Sequence, residues 1–138
     1  MPDNAVFLDS NIIIYAYSDC SPEKSDIARR VIASGNVVIS AQGINEFVAV
    51  THRKMNRPIE AIESAVREFL PFTRPVSLSA ETSLLALRMM KEHRFAWYDS
   101  LIVASALENG CSLLVSEDLQ HGRVIDGSLT IFNPFKKL

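Results

Sequence analysis

Apolar residues in this chain fall into short unbroken runs that alternate with longer stretches of helical period. AVFLD (Ala5–Asp9), NVVIS (Asn36–Ser40), VSL (Val76–Leu78), CSLLVS (Cys111–Ser116) and LTIFN (Leu129–Asn133) are the short runs. They are rich in β-branched residues and apolar at successive positions. That is the pattern of strands buried on both faces. Between them lie six segments that read as helices. NIIIYAY (Asn11–Tyr17) follows the first strand directly, with Ser10 and Asn11 as turn or cap residues. SPEKSDIARRVIASG has Ser21 to cap it, Pro22 at the first helical position and Gly35 to close it. Its apolar face is Ile27, Ala28, Val31 and Ile32. AQGINEFVAVTHRKM, from Ala41, places Ile44, Phe47, Val48 and Thr51 on one side. Pro58 opens a helix with Ile59, Ile62, Val66 and Phe69 in period. Ser79 caps SAETSLLALRMMKEHR, which ends in Arg88, Lys91, His93 and Arg94, as the helix dipole prefers. The last helix is expected from about Asp99 to Asn109, with Gly110 stopping it and Leu101, Ile102, Ala104, Ser105 and Ala106 packed under a sheet.

Strands and helices therefore alternate along the whole length. The pattern predicts a three-layer α/β/α fold around a mostly parallel sheet of four to five short strands. A length of 138 residues fits a single domain, 1–138, able to bury a core without disulfides. No internal repeat, low-complexity segment or linker interrupts it.

Composition narrows the function classes only a little. A net charge of −2 argues against a basic nucleic-acid coat protein. It leaves room for a nucleic-acid enzyme whose cations are local and whose site is acidic. Cys20 and Cys111 are far apart, sit in no metal-type spacing and are expected as reduced thiols. MPDNAVFLDS lacks a basic stretch followed by a long apolar run, so no signal peptide is expected. No run reaches membrane-spanning length, and the expected location is the cytoplasm. The chain ends in a small basic tail, NPFKKL.

The acids change the picture. In parallel α/β sheets, functional groups gather at the carboxyl ends of the strands. Asp9 ends the first strand, and Asp118 follows LLVS by two residues. Glu46 lies in the second turn of the helix after NVVIS. Asp99 heads the helix that leads into CSLLVS, and in a right-handed crossover it starts on the same edge. Each has a plain structural reading: a turn residue at Asp9, a solvated helix residue at Glu46, an N-cap at Asp99, a turn-shaping residue at Asp118. Four carboxylates on one edge are a different matter. Each pair repels by about 1 kcal/mol even in water at contact distance. A hard divalent cation, Mg²⁺ or Mn²⁺, offsets that repulsion through oxygen ligands, and no His/Cys grouping favours zinc. Such a site suits phosphodiester hydrolysis. Ser10, Asn11 and Ser116 are neutral hydrogen-bonding neighbours placed to orient the acids, and Glu117 is a spare acid beside Asp118.

FLDSNIIIYA, SAQGINEF, WYDSLIVASA and LLVSEDL, in that order, resemble the PIN-domain family, most closely its VapC-like toxins of bacterial toxin–antitoxin pairs. The resemblance spans essentially the whole chain. It implies a Mg²⁺- or Mn²⁺-dependent endoribonuclease with metal-site acids at Asp9, Glu46, Asp99 and Asp118. It also implies supporting polar residues at Asn11 and Ser116, a homodimer, and a cognate antitoxin whose tail enters the acidic groove. The motif SED leaves Glu117 and Asp118 in competition; the family pattern favours Asp118, third in that triplet.

Arg53, Lys54 and Arg57, with His52, could contact RNA phosphates or simply end a helix favourably. Trp97 and Tyr98 read as core or dimer-face aromatics, with base stacking as the alternative. Met89 and Met90 read as core or interface filler. Two other functions compete. One is a PIN-like module that binds nucleic acid without cleaving it. The other is a receiver-type signalling domain, disfavoured because Asp9 is followed by Ser10 and Asn11 and no central strand ends in Asp.

Overall fold

A computed structural model describes residues 4–136. The first three residues of the N-terminal stretch and the last two of the basic tail lie outside that range. The order is β1 (Val6–Leu8), α1 (Ser10–Ala16), α2 (Pro22–Ala33), β2 (Val37–Ser40), α3 (Ala41–Arg53), α4 (Ile59–Phe69), β3 (Thr73–Val76), α5 (Ala80–His93), α6 (Trp97–Glu108), β4 (Leu113–Val115), β5 (Val124–Ile125) and β6 (Leu129–Phe132). The sheet order is β3-β2-β1-β4-β6-β5. All neighbours pair parallel except β5, which runs antiparallel to β6.

The sheet is six-stranded, not four- or five-stranded as expected. The extra strand, β5, is only two residues long and offers no periodicity to read. The third strand also lies earlier than VSL: it is Thr73–Val76, and Leu78 is outside it. Pro75 sits inside it, opposite Ile39. Proline lacks an N–H for a ladder, and β3 tolerates it because it is an edge strand.

Alternation along the strands feeds two cores. Phe7, Val38 and Leu114 pack on one face with Met89, Val103 and Ala106 of α5 and α6. Leu8, Ile39 and Val115 pack on the other with Ile12, Ile13, Ala28 and Phe47 of α1, α2 and α3. Period-two alternation with both faces apolar is why these strands read as continuous apolar runs.

Local signals place most helix starts. Ser21 Oγ accepts from Lys24 N–H at 3.2 Å, and Ser40 Oγ accepts from Gly43 N–H at 2.9 Å. Ser79 and Thr82 form a reciprocal capping box. Three helices differ from expectation. Val48 in α3 and Ile59 at the start of α4, although in period, are exposed. α6 begins at Trp97 behind Ala96, which offers no side-chain cap, so Asp99 is its third residue and not its N-cap. Ser100, Leu101, Val103, Ala104, Ser105 and Ala106 are all buried, so α6 is enclosed on nearly every side and has no single apolar face. No described helix is long and apolar enough to cross a membrane. Cys20 is exposed, Cys111 is buried, and the two are not bonded.

Candidate metal centre and active site

The chain runs from β1 outward through β2 to β3, then returns to lay β4 on the other side of β1. A sheet that changes direction in this way opens a crevice outside the carboxyl ends of the two central strands. The register sets Leu8 beside Val115. The next residues, Asp9 and Ser116, are therefore neighbours at that crevice. Ser116 donates its hydroxyl to Asp9 Oδ2 at 2.7 Å, and Ser10 N–H donates to Oδ1 at 2.7 Å. Asp9 is only 6% exposed.

Asn11, in the first turn of α1, bridges the two strand ends. Its Nδ2 donates to Asp118 Oδ2 at 3.0 Å and more weakly to Asp9 Oδ2 at 3.5 Å. Its Oδ1 accepts the Glu117 N–H at 3.5 Å. The Ser116 hydroxyl also accepts the Asp118 N–H at 3.2 Å, closing a small turn that turns Asp118 toward Asp9. Glu46 enters from α3, which springs straight from the end of β2. It lines one narrow cleft with Asp9, Ser40, Gln42 and Ser105. Asp99 enters from the first turn of α6 and faces Asp118 electrostatically.

Burial pushes the Asp9 carboxyl up to about 6; the Ser116 and Ser10 bonds oppose that, and the charges of Asp118 and Glu46 add to it. Asp99 is raised too, by burial first and by Asp118 second. Among the described residues, no lysine, arginine or histidine forms an ion pair with Asp9, Glu46, Asp99 or Asp118. The donor set is all oxygen, suited to a hard divalent cation. A second observation agrees. Ser105 Oγ is buried without a hydrogen-bond partner, on the wall of the cleft that holds Asp9 and Glu46. An orphaned hydroxyl in that position fits a cleft whose occupant is polar.

Glu117 takes a different path. It turns away from Asp9 and accepts from the Tyr15 hydroxyl at 2.7 Å and from the Lys24 ammonium. Burial alone would raise its carboxyl; the Lys24 and Tyr15 bonds outweigh that and hold it below the usual glutamate range. Neither partner was legible from spacing, since they lie 93 and 102 residues away in sequence. Ser105 carried a faint signal: a hydroxyl in an apolar run two turns beyond Asp99.

The basic residues do not share the cleft. Arg53 and Lys54 are exposed at the end of α3. Arg57 is held by Asp19 at 3.1 Å and by the Tyr17 carbonyl at 3.1 Å. Trp97 packs against Leu101 and Ala104, whereas Tyr98 is 63% exposed. Met89 is buried and Met90 exposed.

A second group of metal-type side chains lies elsewhere. Ligand atoms of Glu92, His93 and Asp126 fall within 4.8 Å of one another. Arg88 already pairs with Glu92 at 3.1 Å and Asp126 at 2.9 Å. Arg123 donates to His93 Nδ1 at 3.2 Å. These guanidiniums occupy the charges that a cation would need.

No curated protein matches the sequence. A toxin–antitoxin complex from Klebsiella pneumoniae aligns with TM-score 0.71 and 18% identity, covering 97% of this chain and all of that one. FitAcB from Neisseria gonorrhoeae aligns with TM-score 0.68 and 19% identity, over 94% and 98%. VapC20 of Mycobacterium tuberculosis, a toxin that cleaves the sarcin–ricin loop, aligns with TM-score 0.64 and 16% identity, over 80% and 87%. At these identities the likeness is one of fold. The family model of the PIN domain matches residues 6–126, the span that carries all four acids and the strands that place them, and the chain belongs to the PIN-domain family.

Proposed function

We propose that the protein is a Mg²⁺- or Mn²⁺-dependent endoribonuclease, a single PIN domain acting in the cytoplasm as the toxin of a toxin–antitoxin pair. One observation carries this reading. Carboxylates from the end of β1, α3, α6 and the turn after β4 gather at the switch point, none of them in an ion pair with a cationic side chain among the described residues, and the most buried of them is pushed up to about 6. Asp9, Glu46, Asp99 and Asp118 would hold the ion. When bound, it supplies positive charge that activates a water and offsets charge on the phosphoryl oxygens.

The protein's own groups fix the donors. The Ser10 N–H and the Ser116 hydroxyl hold one oxygen each of Asp9. Asn11 ties Asp118 to Asp9. Arg53 and Lys54 would meet RNA phosphates, and Arg57 mainly braces the loop at Asp19. Family membership and the toxins among the structural neighbours support the reading. An antitoxin would be the natural partner. Exposed Leu84, Leu87 and Met90 on α5 form an apolar stripe that a second copy would cover in a homodimer.

The test is cleavage of RNA by the purified chain with Mg²⁺ or Mn²⁺, with EDTA, and with Asp9→Asn. Cleavage that requires the metal and vanishes in the variant is the expected result. Cleavage that survives EDTA refutes the metal role. RNA binding without cleavage under any condition would make the chain a binding module instead. Sedimentation velocity checks the dimer; a monomer at micromolar concentration would refute it.

A further inference from the structure

We propose that Glu117 is a positioning residue, gripped by Lys24 and Tyr15 so that the turn Ser116–Asp118 presents its serine and aspartate to Asp9. The proposal rests on the nuclease reading of the acid cluster and deepens it. Two adjacent acids follow β4, and either could have served the site. Their environments separate them completely. Asp118 is joined to Asp9 through Asn11 at 3.0 Å and 3.5 Å. Glu117 has both carboxylate oxygens engaged on the other side, Oε1 by Tyr15 and Oε2 by Lys24.

Four chain segments meet at this grip. Tyr15 comes from α1, Lys24 from the first turn of α2, Glu117 from the turn after β4, and Phe135 from the C-terminal segment. The Lys24 ammonium lies 4.7 Å from the Tyr15 ring centre and 5.2 Å from that of Phe135. The two rings meet edge to face at 5.0 Å. The ammonium is therefore confined by two aromatic faces and a carboxylate, and its long side chain is not free to swing. Lys24 is 34% exposed and Glu117 26% exposed, so the pair is partly withdrawn from water, where an ion pair is screened less than on the open surface.

The grip reaches the acid cluster through one peptide. The Glu117 N–H points to Asn11 Oδ1, and the next N–H, of Asp118, points to Ser116 Oγ. Anchoring the Glu117 side chain outward holds both N–H groups inward. With the Ser10 N–H, Asn11 and Ser116 orient Asp9 and Asp118. Releasing Glu117 would let the turn rotate and spread these donors. Loss of such supporting contacts typically costs 10- to 100-fold in metal affinity.

The experiment measures Mn²⁺ binding by the full chain, through the electron paramagnetic resonance signal of free Mn²⁺, alongside RNA cleavage against Mn²⁺ concentration. Lys24→Met and Glu117→Gln are each expected to weaken Mn²⁺ binding by roughly 10-fold. The double variant should bind no more weakly than the worse single one, because both act through the same contact. The saturating rate should fall by less than the affinity does. Lys24→Arg, which keeps the charge, should recover most of the parent affinity and guards against a variant that merely misfolds.

Two results would overturn the proposal. If Glu117→Gln abolishes Mn²⁺ binding while Lys24→Met leaves it at the parent level, Glu117 is itself a ligand. If both variants bind Mn²⁺ as the parent does, the grip has no hold on the site. A parent chain that binds no Mn²⁺ and cleaves no RNA would instead defeat the nuclease reading beneath it, an outcome visible before any variant is made.

Discussion

Two places in this molecule concentrate acidic side chains, and they are built in opposite ways. Around Asp126, the carboxylates of Glu92 and Asp126 each hold a nitrogen of the Arg88 guanidinium, and His93 receives Arg123. Around Asp9, the neighbours are hydroxyls, an amide and other carboxylates, and among the described residues no cationic side chain pairs with the four acids. The first cluster resembles what any stable surface does with like charges: it interleaves opposite ones. The second sets a buried carboxylate, Asp9, among other acids with no opposite charge paired to it, and burial makes that arrangement costlier. Proximity of metal-type residues alone would have picked the Asp126 group. What distinguishes the Asp9 group is the lack of a compensating charge, and that is what a cation site requires.

The sharpest way to break this comparison is to remove one acid from each group. Asp9→Asn or Asp99→Asn should lower RNA cleavage by on the order of 10²- to 10³-fold or more, the scale on which a preorganised electrostatic group acts. Asp126→Asn should leave cleavage within about twofold of the parent, since exposed pairs carry little energy. Initial rates at saturating Mn²⁺ would measure both. Equal losses in the two variants would erase the distinction.

The next effect is on stability and runs the other way. Asp9 has a folded-state pKa of about 6 against an ordinary value of 3.8. A raised carboxyl pKa means that the fold holds its proton more tightly than the unfolded chain does. Its contribution is therefore fully present below pH 4, fades as the pH rises toward 6, and is gone above that. A shift of about two pKa units corresponds to roughly 3 kcal/mol. In EDTA at pH 7, Asp9→Asn should be the more stable protein by about 2–3 kcal/mol, seen as a Tm higher by about 5–10 °C. Adding Mn²⁺ should raise the parent and not the variant. An Asp9→Asn protein that melts below the parent in EDTA would mean that the carboxylate is not strained by its surroundings. With the expected result, the site exchanges stability for function.

Ser116 tests the support for that carboxylate. Its hydroxyl donates to Asp9 and accepts from the Asp118 N–H. Ser116→Ala should lower Mn²⁺ affinity by about 10- to 100-fold. It should also cost about 1–2 kcal/mol, because it leaves the buried Asp9 Oδ2 with only the long Asn11 contact. Thermal melts and Mn²⁺ titrations read the two effects separately.

These features were unequally legible in the sequence. Asp9 stands out because it ends an apolar run and Asp118 because it follows one within two residues, and the parallel rule turns a strand end into a location. Glu46 followed because Ser40 caps α3 immediately after β2, leaving no loop to blur its position. Asp99 is legible as a position at the head of a helix, but the helix boundary is not. α6 starts earlier, at Trp97 behind Ala96, which has no capping side chain to announce it. In α6 the expected Leu101, Ala104, Ser105 and Ala106 are buried, but Ser100 and Val103 are buried too and lie outside the expected face, because a helix enclosed nearly all round loses the periodicity that identifies one. Pro75 hid β3, because proline argues against a strand everywhere except at an edge, and edges are a property of the assembled sheet. The division of labour between Glu117 and Asp118 was also out of reach. It depends on Lys24 and Tyr15, which only the fold brings near.

The smallest predicted effect closes the comparison. Arg88 bridges Glu92, four residues on in α5, and Asp126 in the turn between β5 and β6. The side chain is 45% exposed, so its pairs are screened by solvent. Arg88→Met should change the melting temperature little and leave cleavage and Mn²⁺ affinity at the main site unaltered. It does one further thing: it removes the charge that keeps the Glu92–His93–Asp126 group compensated. If an uncompensated acid cluster is what invites a divalent cation, this variant should acquire an additional weak Mn²⁺ site, visible in a titration as binding beyond the parent's stoichiometry. A binding curve identical to the parent's would show that missing charge is not enough, and that the arrangement of oxygens at the end of β1 matters as much as their repulsion.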